Sequence, residues 1–552
     1  MEQVAYGALL SHATERACEM TMIAPAADIL TALPSGRAND PAIFYRGSAI
    51  GYAELEAKIV RAAAGLARLG LVRGDRLAVW LPNVPAWLVL FFAAARLGVL
   101  VVAINTRFRS HEVADMLGRS GAKALALWPA FKGIDFAGIL AEVPADARSA
   151  LLTVIAYDEG EPVAERIAGC PTVRYGALEG GRPFDEATAL ERTTPSILFT
   201  TSGTTRAPKF VLHTHGSIVA HARDVGPGFG FTAPGAVLLQ ALPLCGVFGF
   251  CQAMAALSAG RPMIMLPIFD GAEAARLIAH HEVTHLNGTD EMFFRIMDAA
   301  DLHNFSLASL RLCGYAAFAN AQGSALVAEG DRRGIPYVGL YGMSEVQALF
   351  ARQPETASTE QRALAGGMPV SPHGAYRVRD PESGKLLPPG EAGELELNGP
   401  SRFAGYWGDE EATGKALTAD GFMRTGDLAH IGRDGGFVYL ARMGDSLRLG
   451  GFLVNPAEIE AFIEEQPGIA GCQVVGVARG HGAEAVGFVT LENGVGFDEQ
   501  SLRARCAGSM AKYKVPVRIF PLDAFPVTVS ANGAKIQRAK LREMAEARLR
   551  MN

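Results

Sequence analysis

One stretch constrains the architecture more than any other: AWLVLFFAAARLGVLVVAIN, Ala86 to Asn105, almost wholly apolar and long enough for a membrane span. Arg96 and Gly98 stand in its middle, and an arginine at mid-bilayer costs about 2.5 kcal/mol or more. The run from Val99 to Ile104 is rich in β-branched residues. A helix that stops near Gly98 and is followed by a buried strand satisfies all three features. Upstream, DRLAVWL (Asp75 to Leu81) reads as a strand and Asn83-Val84-Pro85 as a turn, which makes the segment a βαβ unit. Short apolar runs such as AKALALW and ALLTVIAY then alternate with helix-like segments such as GAEAARLIAHH. The expected class is α/β, with largely parallel sheets covered on both faces.

At 552 residues the chain is too long for one core, so at least two domains are expected. Its pattern changes after Gly393, where GELELNGPSRFAGYWGDEEAT and GFMRTGDLAHIGRDGGFVYLARMGD read as glycine-punctuated strands with a tight turn at Asp434-Gly435-Gly436. This predicts a β subdomain attached to a large N-terminal body of several subdomains. A further unit starts near Arg442. Asn455 can cap a helix with Pro456 at its first position and Glu458 completing a capping box; Ile459, Phe462 and Ile463 share a face, and Pro467-Gly468 ends it. The strand patterns CQVVGVA and AVGFVTLE follow. The predicted domains are therefore 1–442 and a small α+β domain, 443–552.

A formal charge of −6 gives no electrostatic reason for a nucleic-acid or anionic-membrane partner. The seven cysteines form no CxxC pair, so neither a zinc site nor a disulfide framework is indicated, and a reducing cytoplasm is the expected compartment. The N-terminus lacks the basic start and apolar core of a signal peptide. Oligomeric state stays open, a homodimer included.

Between the strand-like SILFT and FVLH lies a loop of Ser, Thr and Gly ending in Pro208-Lys209. Hydroxyls, mobile backbone N–H groups and an ammonium suit polyphosphate oxygens. The second glycine and the Ser or Thr after lysine that a Walker A loop needs are missing. Taken alone, the loop reads equally well as an ordinary polar surface loop.

TSGTTRAPK resembles the phosphate loop of the adenylate-forming (AMP-binding) superfamily, which holds acyl-CoA synthetases and aryl-CoA ligases. YGMSE (Tyr341 to Glu345), GELELNGPSRFAGYW, RTGDLAH, ARMGDSLRLGGFLVNPAEIE and ANGAKIQRAKLRE resemble its later motifs in the same order. The resemblance implies activation of a carboxylic acid by ATP to an acyl adenylate with loss of pyrophosphate, then transfer to the thiol of coenzyme A. It also implies that the C-terminal domain is a mobile lid. Thr201, Ser202, Gly203, Thr204, Thr205 and Lys209 would hold phosphates. Glu345 would hold Mg²⁺, Ser344 would bond the α-phosphate, and Tyr341 with Gly342 would lie beside adenine. Asp427 would accept both ribose hydroxyls, as a carboxylate with two acceptor oxygens can, and Arg442 would reach ribose or phosphate. Lys535 would bridge carboxylate and α-phosphate, with Lys540 as the runner-up, because Ala534 stands where the family places glycine. Asp445 would be the hinge, and Gly451 would leave room for the pantetheine arm.

By the same resemblance, Gly314 and Tyr315 line adenine, and Cys245, Phe248, Ala316, Ala317 and Phe318 wall the acid. The position that holds an α-amino group in amino-acid-activating relatives has no aspartate, which disfavours an amino acid substrate; a fatty or aryl acid is expected, in fatty acid metabolism or an aryl counterpart. In NGTDEMFF, Thr289 reads as a helix cap with Asp290 and Glu291 in the first turn. Arg206 and Phe210 replace family glycines, which predicts a stiffer loop and an Arg206 contact with phosphate or a solvent-facing Arg206. Three alternatives remain: an acyl-AMP ligase that loads a carrier protein, a non-catalytic nucleotide-binding homologue, and a hydrolase using Ser344. For the last, GMSEV lacks the closing glycine of a nucleophile elbow.

Overall fold

The computed structural model describes residues 38–180, 190–201, 209–316, 323–443, 447–449, 452–454, 456–479, 482–492, 494–510, 514–530 and 533–550. The chain forms two compact units that interleave in sequence: of the described residues, one holds those up to 316, 323–375 and 397–423; the other holds those within 376–396 and 424–550.

In the first unit, the Ala86–Asn105 stretch folds as its residues dictate. Pro85–Leu97 is a helix with proline in its first turn, Gly98 closes it with φ +69°, and Leu100–Ala103 is a strand with every residue buried. A proline costs nothing at a helix start because its missing N–H would be unpaired there anyway. Nearly the whole helix is buried, which explains an apolar run without a polar face. Among the described residues no helix is long and apolar enough to cross a membrane. Parallel pairing joins Leu100–Ala103 to Arg76–Trp80 and to Pro195–Thr200, and continues outward through Ala124–Leu127, Thr153–Ala156 and Cys170–Arg174. Antiparallel strands close both edges.

A β-branched residue at position 98 would be held in left-handed backbone, with its Cβ 3.0 Å from Arg73 Cγ and 3.2 Å from Leu190 Cδ2. Gly98→Val is therefore expected to destabilise the first unit by about 1–2 kcal/mol, read as a lower melting temperature in a calorimetric scan; an unchanged melt would show that this cap contributes nothing.

A second parallel set, Gly288–Thr289, Cys313–Ala316 and Tyr337–Tyr341, carries the middle of the same unit, with GAEAARLIAHH forming the helix Gly271–His281 beside it. Thr289 caps the helix Asp290–His303 by accepting from the Met292 amide, as its sequence predicts.

The strands Met423–Ile431, of which all but Met423 cluster in the second unit, and Phe437–Arg442 form an antiparallel hairpin, and Gly435 (φ +88°) makes the turn. The β-rich segment after Gly393 is divided: residues 397–423 cluster with the first unit, because Gly405–Tyr406 pairs with the strand Phe210–Thr214. The helix Pro456–Glu464 packs Ile459 and Ile463 into a core with Val474 and Val489, from the long hairpin Ile469–Arg479 and Gly482–Leu491. The helix stops at Glu464, short of Pro467-Gly468. Asn455, its expected cap, lies outside the described residues.

Candidate active site

Strands Pro195–Thr200 and Phe210–Thr214 pair antiparallel, so the hydroxyl-rich loop is the connection of a hairpin. Its base is closed by the Thr201 amide donating to the Lys209 carbonyl at 3.1 Å. Ser202, Gly203, Thr204, Thr205 and Arg206 lie outside the described residues. Phe210 does not carry the stiffening expected of a lost loop glycine. It is already in the strand, opposite Thr200, buried, with the Arg119 guanidinium 4.2 Å from its ring centre; extended backbone accepts any side chain.

Six residues from three segments meet at this hairpin, all in the first unit. Lys209 Nζ lies 4.5 Å from the ring centre of Tyr406. The Tyr406 hydroxyl donates to Glu345 Oε1 at 2.8 Å, and the Phe403 amide donates to the Glu345 carbonyl at 2.7 Å. His213 Nε2 is 2.7 Å from the Ser344 carbonyl. An imidazole facing a carbonyl must donate from that nitrogen, so Nδ1 is the unprotonated one, and it has no hydrogen-bond partner among the described residues. Burial pushes His213 down to about 4, and the ring stays neutral at ordinary pH. Tyr406 and His213 lie inside the quoted motifs but carry no sequence signal of their own: the strand partner of Tyr406, Val211, is almost two hundred residues away, and His213 meets Ser344 across 131 residues.

Ser344–Val346 is a short 3-10 turn directly after the strand Tyr337–Tyr341. Gly342 is obligatory just before it: a Cβ there would sit 1.3 Å from the Ala348 carbonyl oxygen. Gln347 (φ +60°) and Ala348 (φ +56°) are both left-handed. That strain persists because Gln347 Nε2 donates to the carbonyls of Ser217 and Ser401 at 2.9 and 3.2 Å. Tyr341 is buried and pairs with Ala351.

The turn carrying Cys245, which leads into the helix Val247–Ser258 with Phe248 in its first turn, is set by buried amides. Asn83, which reads in sequence as a mere turn residue, is buried; it accepts from the Leu244 amide at 2.8 Å and donates to the Leu242 and Leu266 carbonyls at 2.9 and 3.1 Å. Gln252 Nε2 donates to Gln240 Oε1, the Asn287 amide donates to Gln252 Oε1, and the Gly314 amide donates to Asn287 Oδ1 at 3.0 Å. One buried polar chain thus links the Cys245 turn to the Gly314 strand, each member satisfied by the next. Cys245 and Phe248 belong to the large apolar core, and Ala316 packs against it. Tyr315 points the other way, into a second core, with its hydroxyl donating to the Ala363 carbonyl at 2.9 Å. Ala317 and Phe318 lie outside the described residues. Burial raises the Cys245 thiol to about 11 and the Cys251 thiol well above its usual range, so both are protonated fillers rather than nucleophiles.

In the second unit, Asp427 and Arg442 stand opposite each other in the hairpin and form an ion pair at 2.7 Å; Arg442 also donates to the Thr425 carbonyl. Asp427 is buried while the Arg442 side chain is half exposed. The Gly426 amide donates to Glu394, whose carboxyl burial raises above its ordinary range. Lys535 lies in the two-stranded hairpin Val527–Ser530 and Gly533–Ile536, opposite Thr528. Its side chain is outside the described part, as are Asp445 and Gly451. Lys540 is exposed on the helix Arg538–Arg550 and pairs with Glu543 at 3.3 Å.

Residues 32–407 match the family model described as AMP-binding enzyme, and residues 458–532 match the AMP-binding enzyme C-terminal domain. The chain belongs to the AMP-binding enzyme family. It falls in that family's AMP-forming acid–CoA ligase class. This AMP-binding enzyme is 30% identical to the mitochondrial medium-chain acyl-CoA ligase ACSF2 of Danio rerio, over 90% of this chain and 84% of that one. The human ACSF2 is 29% identical over 91% and 84%. Among solved structures, ATP-bound MatB from Rhodopseudomonas palustris is 27% identical with a TM-score of 0.78, covering 93% of this chain and 97% of its own. O-succinylbenzoate coenzyme A synthetase of Bacillus subtilis, at 23% identity and TM-score 0.77 over 94% and 98%, shares the fold.

Proposed function

We propose that this enzyme is an ATP-dependent carboxylic acid:CoA ligase acting on an apolar, non-amino-acid carboxylate, aliphatic before aromatic. The reading is carried by one observation: Lys209, Tyr406, Glu345 and the Ser344 turn converge at the base of the hydroxyl-rich loop. A cation, a buried carboxylate and a hydroxyl at one spot are what a triphosphate and its metal require. Relatives named as medium-chain acyl-CoA ligases favour the aliphatic acid, and Cys245, Phe248 and Ala316 offer an apolar wall to it.

The donor set fits Mg²⁺. Among the described residues no group of three or more His, Cys, Asp or Glu side chains is arranged as a metal cage, and Mg²⁺ with nucleotides binds through one or two carboxylates plus phosphate oxygens and water. Glu345 would hold it, and the ion would supply charge neutralisation between the phosphates. The chain's own groups do the rest. Lys209 balances charge on the β- and γ-phosphates, and the Ser344 hydroxyl donates to the α-phosphate. Asp427, its plane held by Arg442, accepts the ribose hydroxyls. Lys535 draws the carboxylate oxygen onto the α-phosphorus as pyrophosphate leaves. Gly451 then leaves space for the pantetheine arm, and the thiol displaces AMP. The six free, buried cysteines of the described residues suit a reducing, cytoplasmic compartment.

The deciding measurement is release of AMP and pyrophosphate across short, medium, long and aromatic acids, with and without CoA. The expected result is turnover that requires CoA and peaks with an aliphatic acid. Pyrophosphate exchange without thioester would transfer the reading to a carrier-loading ligase, and silence with every acid would end it.

A further inference from the structure

We propose that Tyr406 is a positioning residue for nucleotide binding: its hydroxyl orients the Glu345 carboxylate toward the metal, and its ring seats the Lys209 ammonium beside the same phosphates. The proposal rests on the ligase reading above. Tyr406 lies on the short edge strand Gly405–Tyr406, opposite Val211 in antiparallel register. Lys209 is two residues before Val211 and therefore reaches diagonally across the pair, a span that long and aromatic side chains cover. That register brings the ammonium to 4.5 Å from the ring centre while the hydroxyl, at the far end of the same side chain, reaches Glu345 Oε1 at 2.8 Å.

Backbone and ring of Tyr406 are both held in place. The Tyr406 amide donates to Thr413 Oγ1 at 2.9 Å, and the Trp407 amide donates to the Phe210 carbonyl at 2.8 Å. The Phe403 ring meets the Tyr406 ring edge-on, with centres 5.0 Å apart. Phe403 in turn donates its amide to the Glu345 carbonyl, so backbone and carboxylate of Glu345 are gripped by residues three apart on one segment. A hydrogen bond accepted at Oε1 restricts rotation of the Glu345 carboxylate group. A tyrosine can therefore transmit position to two charged groups that bind different parts of one ligand, the metal and the phosphate tail.

The two functions of the side chain separate by substitution. Y406F removes the hydroxyl and keeps the ring; Y406L removes both. Calorimetric titration of ATP into the full chain, once with Mg²⁺ and once with EDTA, reads each contribution without turnover. Y406F is expected to lose about tenfold of the affinity that Mg²⁺ adds, the effect of one hydrogen bond to a charged group, and to bind metal-free ATP like the wild type. Y406L is expected to lose affinity under both conditions. Y406F binding Mg-ATP like the wild type would overturn the proposal, as would an equal loss with and without metal, the mark of a merely structural role. A wild-type chain that binds no ATP would instead overturn the ligase reading, and the proposal with it.

Discussion

Lys535→Ala is expected to slow acyl-adenylate formation by roughly 100-fold or more, the size of effect seen when one preorganised stabilising donor is lost. Thioester formation from supplied acyl adenylate should stay near the wild-type rate, since by then the carboxylate and phosphate have already been joined. The substitution leaves the local backbone with what it needs. Lys535 pairs with Thr528 through main-chain groups, and the hairpin is tied down by the Gln537 amide on the Pro526 carbonyl at 2.8 Å and by Gln537 Nε2 on Thr528 Oγ1 at 2.7 Å. Just beyond, Arg538 pairs with the buried Glu460 at 2.8 Å. Pyrophosphate exchange into ATP at the normal rate in the variant would move the role elsewhere, with Lys540 next to test.

Gly342→Ala is the second large effect. A methyl group placed 1.3 Å from the Ala348 carbonyl oxygen cannot be accommodated by rotating a side chain; the backbone between 342 and 348 has to move. That segment holds Ser344 and Glu345, and it is pinned by His213, Phe403 and Gln347. Displacement of catalytic groups by about 1 Å costs on the order of 100-fold in rate, so adenylation should fall by at least that much. Thermal melting accompanies the rate measurement and shows whether the unit still folds. A folded variant with a normal rate of pyrophosphate exchange would remove the Ser344–Glu345 turn from the site.

Local chemistry explains how much of this could be read without coordinates. The end of the helix at Gly98, the Thr289 cap and the Gly435 turn each follow from a residue and its immediate neighbours, because caps and turns are satisfied within a few positions. Tyr406 and His213 could not be read that way. Each matters through a partner more than sixty residues distant, Glu345 for one and Ser344 for the other. The buried amides show the same limit: Asn83 resembles any turn asparagine until the Leu244 amide, 161 residues on, is found against its oxygen.

By itself the order of residues determined the α/β class, the helix-then-strand reading of Ala86–Asn105, and the set of motifs whose types and spacing point to an adenylate-forming ligase. The tertiary structure decided which of those residues touch. It removed Phe210 from the loop and turned the Tyr315 side chain into a second core. It also assigned the Gly405–Tyr406 segment to the edge of the large sheet. The reason is physical: backbone conformation is set by near neighbours, whereas the orientation of a buried carboxylate is set by whatever donors packing brings to it, and those donors come from strands that meet only when the sheet is assembled.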